Sequence, residues 1–284
     1  MRFDLSALPP LRDVIEAHDL RAEKSLGQNF LLDLNITRRI VSTCKNIAGH
    51  HVIEIGPGPG GLTRALLESE ALSLTAIEFD PRAIHALAEL KTIAGDAFHI
   101  IHGDALAFDL TAITLAPRAI VANLPYNIAT VLFINWLKKV DDFSFMTLMF
   151  QKEVAQRIVA KPNTEHYGRL AVLAGWLGEA KIAFDLHPKA FTPAPKVTSS
   201  VLSFIPKHDR RRDIEFKAVE TITAAAFGQR RKMLRQSLKS LFGAETISVL
   251  EGLNINPEAR AETLAVDEFL RLALYYQQHH YNND

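Results

Sequence analysis

Asn123-Leu124-Pro125-Tyr126 brings a primary amide, a rigid turn and an aromatic ring together directly after the apolar run Ala119-Ile120-Val121-Ala122. An amide there can pair with an exocyclic amine while Tyr126 stacks on the ring that carries it, a contact worth ~1–3 kcal/mol. An aromatic amine is a poor nucleophile because its lone pair spreads into the ring. If the Asn123 side-chain oxygen and the Leu124 carbonyl both accept its hydrogens, the lone pair localises toward an electrophile, and Pro125 stiffens the backbone holding that carbonyl. Positioning and electrostatics then supply most of the rate, and the acidic ammonium product can lose its proton to water. The ordinary alternative is a plain Asn-Pro turn. Against it stands the motif's place after the fourth of a series of strands, beside the first at the usual switch point.

Some seventy residues upstream, Val52-Ile53-Glu54-Ile55 runs into Gly56-Pro57-Gly58-Pro59-Gly60-Gly61. Gly56, Gly58 and Gly61 fit the dinucleotide fingerprint, with Glu78 where a ribose contact is expected. That alone fits a nicotinamide dehydrogenase as well. A phosphate cradle, however, needs free backbone N–H groups, and Pro57 and Pro59 remove two of them. Glu54, an acid inside an apolar strand, suits a cationic ligand such as S-adenosylmethionine. Glu78 can accept hydrogen bonds from both hydroxyls of a ribose, and Asp104, after Ile100-Ile101-His102-Gly103, can accept one from an adenine amino group. Each acid alone is more commonly a helix cap or a solvated loop residue. Three acids at three successive strand ends favour a ligand, and the two motifs together point to methyl transfer onto a nucleobase amine.

A second stacking platform is expected from Phe191 in Phe191-Thr192-Pro193-Ala194-Pro195-Lys196-Val197, with a core phenylalanine as the competing reading. Further on, Gln229-Arg230-Arg231-Lys232-Met233-Leu234-Arg235-Gln236-Ser237-Leu238-Lys239 spaces Arg231, Arg235 and Lys239 at i,i+4 over buried Leu234, Leu238 and Leu241. Like charges so placed repel on a helix. With Arg210-Arg211-Arg212 nearby, and ten Lys or Arg against four Asp or Glu over residues 206–240, an unpaired basic stripe favours phosphate binding over an ordinary solvated face. Arg230, Arg231, Lys232, Arg235 and Lys239 are the expected RNA contacts.

The elements that must position these groups follow from periodicity. Apolar runs at Val52–Ile55, Leu74–Phe79, Phe98–Ile101, Ala119–Val121 and Phe143–Phe150 alternate with helical stretches at Leu62–Leu67, Arg82–Leu90 and Ile128–Lys138. This α/β pattern predicts a mostly parallel sheet covered on both faces. Helices near Leu11–His18, Asn35–Ile47 and Leu170–Trp176, and an edge hairpin of Ile182–Leu186 with Val197–Ile205, complete the domain. After a polar hinge at Pro206–Arg212 only helices are predicted: Ile214–Phe227, Arg231–Phe242, Ile247–Leu250 and Val266–Tyr276. The expected divisions are an N-terminal extension (1–23), a catalytic domain (24–205) and a helical domain (206–284), with the tail from His279 frayed. The 284 residues, 48% hydrophobic, suffice for a full core, and zero formal net charge leaves nucleic-acid binding to local patches. One cysteine, Cys44, excludes a disulfide framework, and no apolar run reaches the ~18–20 residues of a bilayer span. With no signal-peptide pattern at the start, a cytoplasmic location is expected.

Five motifs in order, Gly27-Gln28-Asn29-Phe30-Leu31, Glu54–Gly61, Asn123–Tyr126, Phe191–Val197 and Phe227-Gly228-Gln229-Arg230-Arg231-Lys232, resemble the ribosomal RNA adenine N6-dimethyltransferase family in its bacterial small-subunit branch. The resemblance runs from about Lys24 to Arg271. It implies a Rossmann-like, class I methyltransferase fold with a seven-stranded sheet and a small helical C-terminal domain. It implies transfer from S-adenosylmethionine, without a metal, to two adjacent adenines in the 3'-terminal hairpin of 16S rRNA, twice on each, within an immature 30S subunit and with a role in ribosome biogenesis. No protein partner is readable. Carried onto this chain, it places Asn29 and Leu31 at the methionine end of the donor, Gly56 against it by backbone, Glu78 at the ribose, Asp104 at the adenine and Asn123 at the transfer region. Two alternatives stay open: a large-subunit (23S) enzyme of the antibiotic-resistance type, and a mainly non-catalytic small-subunit assembly factor.

Overall fold

A computed structural model describes residues 3–23 and 27–280. Lys24, Ser25 and Leu26 of the basic lead-in, and the last four residues of the expected frayed tail, lie outside the described residues. The strands are β1 (Phe30–Leu31), β2 (His51–Ile55), β3 (Ser73–Glu78), β4 (Phe98–His102), β5 (Arg118–Asn123), β6 (Phe143–Gln151), β7 (Gly178–Leu186), β8 (Phe191–Thr192) and β9 (Ser199–Pro206). Seven of them form one sheet in the order β4-β3-β2-β5-β6-β9-β7, and β1 with β8 forms a separate pair. The ladders from β4 to β6 are parallel, and β9 runs antiparallel to β6. Strands β2, β3 and β5 are buried almost throughout, as a sheet covered by helices on both faces requires. The edge strand β7 instead alternates, with Lys181 and Asp185 on its exposed face, a pattern that discourages edge-to-edge pairing.

The neighbouring of β2 and β5 matters most. Chain order jumps from the second to the fifth strand there, so the loops leaving the two strands diverge and open a crevice at their C-terminal ends. Each loop starts a helix by a local device. Gly60, at φ +90°, admits the helix Gly61–Leu67. Asp80 caps the helix Pro81–Ala86 by accepting the Arg82 N–H, with Pro81 in the first turn where its missing donor costs nothing. The predicted Arg82–Leu90 helix breaks at Leu87, and a second helix covers Ala88–Ala94.

Two compact units emerge. The first comprises residues 1–155 and 181–206, the second 156–180 and 207–284. This differs from the sequence-based divisions in two respects. The N-terminal extension is integral to the first unit: Leu5, Leu11, Val14 and Leu20 are buried, and Arg64 donates to the Pro9 carbonyl. The segment 156–180 groups with the C-terminal helices, because its apolar residues find their partners there. Within the second unit the buried Tyr167 meets Phe227 edge-on and donates its hydroxyl to the Leu264 carbonyl at 2.9 Å, while Phe227 stacks on Phe269.

The predicted Arg231–Phe242 helix is also corrected. The helix Phe216–Gly228 ends in a turn, Met233 forms a bridge with Arg260, and two short helices follow at Leu234–Ser237 and Lys239–Phe242. The apolar spacing of Leu234 and Leu238, both fully buried, is satisfied by short helices as well as by a long one.

A Cβ on Gly61 would lie 2.4 Å from the Leu31 carbonyl oxygen, a backbone atom that cannot rotate away. Gly61→Ala is expected to destabilise the first unit by about 1–3 kcal/mol. Gly168→Ala, with nothing within 4 Å of the added carbon, serves as the control; equal melting curves for the two variants would refute the packing argument.

Candidate active site

The crevice at the ends of β2, β3, β4 and β5 is a cavity of ≈ 240 Å³. It is lined by the segment Gly27 to Leu31, by the turn following β2, by Glu78 and Phe79, by Gly103 to Ala105, and by Asn123 to Ile128. Asn29, Leu31, Gly56, Glu78, Asp104, Asn123, Leu124, Pro125 and Tyr126 therefore share one wall system, although 94 residues separate Asn29 from Asn123. Phe30 seals the back of the glycine turn: a Cβ on Gly58, which holds φ +54°, would strike its ring at 2.9 Å.

The turn after β2 has no spare amides between Gly56 and Gly60. Gly56 donates to the Ile77 carbonyl, Gly58 to the Glu78 carboxylate and Gly60 to the Pro57 carbonyl, while Pro57 and Pro59 have no N–H. A pyrophosphate would find no donor between Gly56 and Gly60 and would have only the first turn of the helix Gly61–Leu67 to bind, which weighs against the dinucleotide reading of the glycine spacing.

Acidic groups dominate the polar lining. Glu54 is 1% exposed, and its carboxyl accepts from the Thr63 hydroxyl at 2.8 Å. Burial pushes it up to about 8, partly offset by Thr63 and reinforced by the nearby negative charge of Glu78. Glu78 is also raised by burial, against the pull of backbone N–H groups from Asp80, Gly58 and Phe79. Oε1 takes two of those bonds and Oε2 one. Of the four acceptor positions on a carboxylate, one remains, on Oε2, so the sequence expectation of two ribose contacts narrows to one unencumbered position. Asp104 is exposed, caps the turn after β4 by accepting from Leu106, and keeps its second oxygen free of protein partners among the described residues.

Asn123 ends β5, and its Nδ2 donates to the Asn29 carbonyl at 3.1 Å. That bond fixes which way round the amide sits. Among the described residues its Oδ1 accepts no hydrogen bond and is left as an acceptor on the cavity wall. Leu124 is buried, which anchors the backbone whose carbonyl is the second expected acceptor. Tyr126 is half-buried, its hydroxyl is tied to the buried Ser199 of β9, and burial raises its ionisation. A ring so held presents a fixed face.

Phe191 departs from the sequence reading. It is 3% exposed, packs in the hydrophobic core with Leu31 and Val201, and does not line the cavity. Its strand is consumed by pairing β8 to β1, with Leu31 opposite Phe191. The competing reading, a core phenylalanine anchoring a proline loop, describes its place here. The basic stripe is corrected too. Arg231 stands in a turn, Arg235 in one short helix and Lys239 in the next. Arg230 is engaged by Glu262 at 2.7 Å and by the Glu165 carbonyl, and Arg235 has Glu258 at 3.8 Å. Arg231, Lys232 and Lys239 are exposed and have no acidic partner among the described residues. Sequence reasoning gave no role to Gln28, Phe79, Asn127 or the Asp80–Arg82 pair, although Asp80-Pro81 was readable as a helix start.

These features match known proteins closely. The model of the family described as ribosomal RNA adenine dimethylase matches residues 19–278. A Brucella abortus protein named ribosomal RNA small subunit methyltransferase A is 55% identical over 95% of this chain and 98% of its own. A crystal structure of a dimethyladenosine transferase from Plasmodium falciparum superposes with a TM-score of 0.74 at 25% identity, covering 87% of this chain and 96% of that one. The 23S rRNA methyltransferase ErmE superposes with a TM-score of 0.64, also at 25% identity, covering 86% and 98%. With the free acceptor of Asn123, the buried carboxyls and the glycine turn in one cavity, the chain belongs to the ribosomal RNA adenine dimethylase family.

Proposed function

We propose that this protein dimethylates the N6 amino group of two adjacent adenines in the 3'-terminal hairpin of 16S rRNA, acting on an immature small subunit and using S-adenosylmethionine as donor. The observation that carries the reading is the Asn123 amide, fixed through Nδ2 so that Oδ1 is left for an incoming amine. The small-subunit relatives, at more than half identity over nearly the whole chain, favour this substrate over the large-subunit one.

When bound, S-adenosylmethionine supplies an electrophilic methyl group on a sulfonium. The residues present fit such a ligand: two buried carboxyls, Glu54 and Glu78, line a cavity whose turn from Gly56 to Gly60 has no donors for phosphate. Asn29 and Leu31 hold the methionine end, Gly56 lets the chain approach closely, Glu78 accepts a ribose hydroxyl and Asp104 the adenine amine. At the acceptor, Asn123 Oδ1 and the Leu124 carbonyl draw on the two N–H bonds of N6, which localises its lone pair, and Tyr126 stacks on the base. After the first transfer one N–H remains, and a single acceptor suffices to hold it for the second. The base must leave its stack or be met in a loop to reach this cavity.

Tritiated-methyl transfer into immature small subunits, followed by nucleoside analysis, should yield dimethyladenosine. Asn123→Ala should lower turnover by roughly 10²–10³-fold with the fold intact. Full rescue of subunit maturation by that variant in a deletion strain would instead favour the assembly-factor reading.

Glu54 gives a pH test. Its folded carboxyl holds a proton up to about pH 8, whereas the unfolded chain releases it near 4.5. The native state thus binds the extra proton between those values, and Glu54 makes the ligand-free fold progressively less stable as pH rises through that window. A cation at Glu54 favours ionisation, so donor affinity should climb with pH, by at most about tenfold per unit, and level off near pH 8. Glu54→Gln should flatten the Glu54 contribution, and the uncharged thioether product should show less of it. Calorimetry giving the same pH profile for donor, product and variant would refute this role.

For RNA, Arg231→Glu with Lys232→Glu should weaken binding to the particle, make its salt dependence shallower by about one unit of log–log slope per lost phosphate contact, and leave donor affinity unchanged. Arg230→Ala should lower stability first, because that guanidinium holds Glu262 and the Glu165 carbonyl. An unaltered salt slope in the double variant would return these residues to the solvated surface.

A further inference from the structure

Asp80 and Arg82 lie outside the reacting residues, yet they gather more polar contacts than any group in the cavity. Asp80 is 3% exposed, and its carboxylate accepts from Arg82 N, from Arg82 Nε at 3.0 Å, from Arg82 Nη2 at 2.7 Å and from Gln28 Nε2 at 3.2 Å. The same guanidinium reaches back along the chain, with Nη1 on the Asp19 carbonyl at 3.3 Å and Nη2 on the Glu23 carboxylate at 2.7 Å. Gln28 completes the ring by accepting the Glu23 N–H at 3.0 Å. Asp80 and Arg82 together therefore tie the segment from Asp19 to Gln28 to the first turn of the helix Pro81–Ala86, the guanidinium through Asp19 and Glu23 and the carboxylate through Gln28.

The next residue along is Asn29, whose carbonyl orients Asn123. The contact is set closely on the other side as well. Gly27 sits against the turn after β5, where an added Cβ would come within 2.9 Å of the Asn127 side-chain oxygen and 3.7 Å of the Tyr126 nitrogen. A primary amide is almost symmetric in shape, so packing alone barely distinguishes its two orientations. The Asn29 carbonyl distinguishes them: it accepts from Nδ2 and repels an oxygen in the same place. A shift of that carbonyl removes the preference, and the reversed amide would present N–H groups to an amine that needs acceptors.

We propose that Asp80 and Arg82 are positioning residues for methyl transfer: clamped through Gln28, they hold the Asn29 carbonyl where it keeps the Asn123 side-chain oxygen turned to the substrate amine. The proposal rests on the methyl-transfer reading above. It goes beyond that reading by assigning a loss of turnover, over and above any loss of donor binding, to an ion pair at the far end of the segment. The surface part of the network is not what matters, since Glu23 is half exposed and such pairs contribute little. The buried carboxylate matters, because its partners fix a geometry.

The test uses the full-length protein with immature small subunits and saturating donor. Arg82→Ala and Gln28→Ala should each lower kcat on the order of 10- to 100-fold, as expected for misplacement of a reacting group. Because Asn29 and Leu31 also hold the donor, donor Kd by calorimetry should rise as well, but by less than kcat falls, and a kcat loss that persists at saturating donor is what a role in donor binding alone would not produce. Arg82→Lys, which keeps the charge without the fork, should recover part of the loss. Because both residues act through one link, the Arg82→Ala/Gln28→Ala double variant should be no slower than the worse single. Backbone hydrogen exchange should quicken over residues 27–31 and not in β2, β3 or β5. Unchanged kcat in the single variants, a loss confined to donor Kd, multiplied losses in the double variant, or unaltered exchange over 27–31 would each overturn the proposal. Absence of dimethyladenosine from the unmodified protein would strike the substrate reading instead, and the exchange measurement would still decide the clamp.

Discussion

The hydrogen bond from Asn123 Nδ2 to the Asn29 carbonyl is the interaction on which the site depends. It joins the end of a central strand to a segment that has almost no regular structure of its own. The sheet alone would leave Asn123 at a strand end with an amide free to turn over. The segment alone would have little to hold it in place, since β1 is two residues long. Each is completed by the other, and the cavity exists because both are present. Pairing of β1 with β8 closes the same arrangement from a third side, and it explains why the Phe191–Val197 motif belongs with the others although Phe191 itself is in the core.

A second constraint comes from buried charge. A carboxylate taken from water must be hydrogen-bonded or keep its proton, and the two acids of the donor side take different routes. Glu78 gathers three backbone N–H groups, one of them from the glycine turn, so the amide that a phosphate would have used is spent on holding an acid. Glu54 has one hydroxyl partner and keeps its proton near neutrality. A site prepared in this way has acceptors and latent negative charge, and its turn from Gly56 to Gly60 offers no anion donor. That electrostatic character selects a cationic nucleoside over a dinucleotide, even though the glycine spacing is compatible with both.

Much of this was legible in the residues. The strand-helix alternation is a strong periodic signal, and Glu54, Glu78 and Asp104 at successive strand ends fall where an open α/β sheet binds ligands. What stayed hidden was whatever depends on a partner distant in sequence. Arg230 reads as a free cation until Glu262 is placed beside it, and Phe191 reads as a platform until β8 is seen to pair with β1. The helix expected through Arg231 failed because Leu234 and Leu238 carry the same spacing in two short helices as in one long one, while the bridge between Met233 and Arg260 that forbids the longer helix is non-local. The role of Asp80 as a clamp is invisible in the sequence, since Gln28 lies 52 residues away.

The same logic bears on how a chain of zero formal net charge can hold a polyanion. Without a global field, attraction must come from cations that no neighbouring acid has neutralised. In the second unit, acids are placed against Arg211, Arg230, Arg235 and Arg271, and these pairs occupy cations that composition alone would count toward binding. Arg231 and Lys232 stand next to Arg230 in a turn where no acid among the described residues reaches them. The distribution of acids therefore does more than balance the total: in the second unit it neutralises some cations and leaves Arg231, Lys232 and Lys239 exposed without an acidic partner among the described residues, so the arrangement of charge matters beyond its sum.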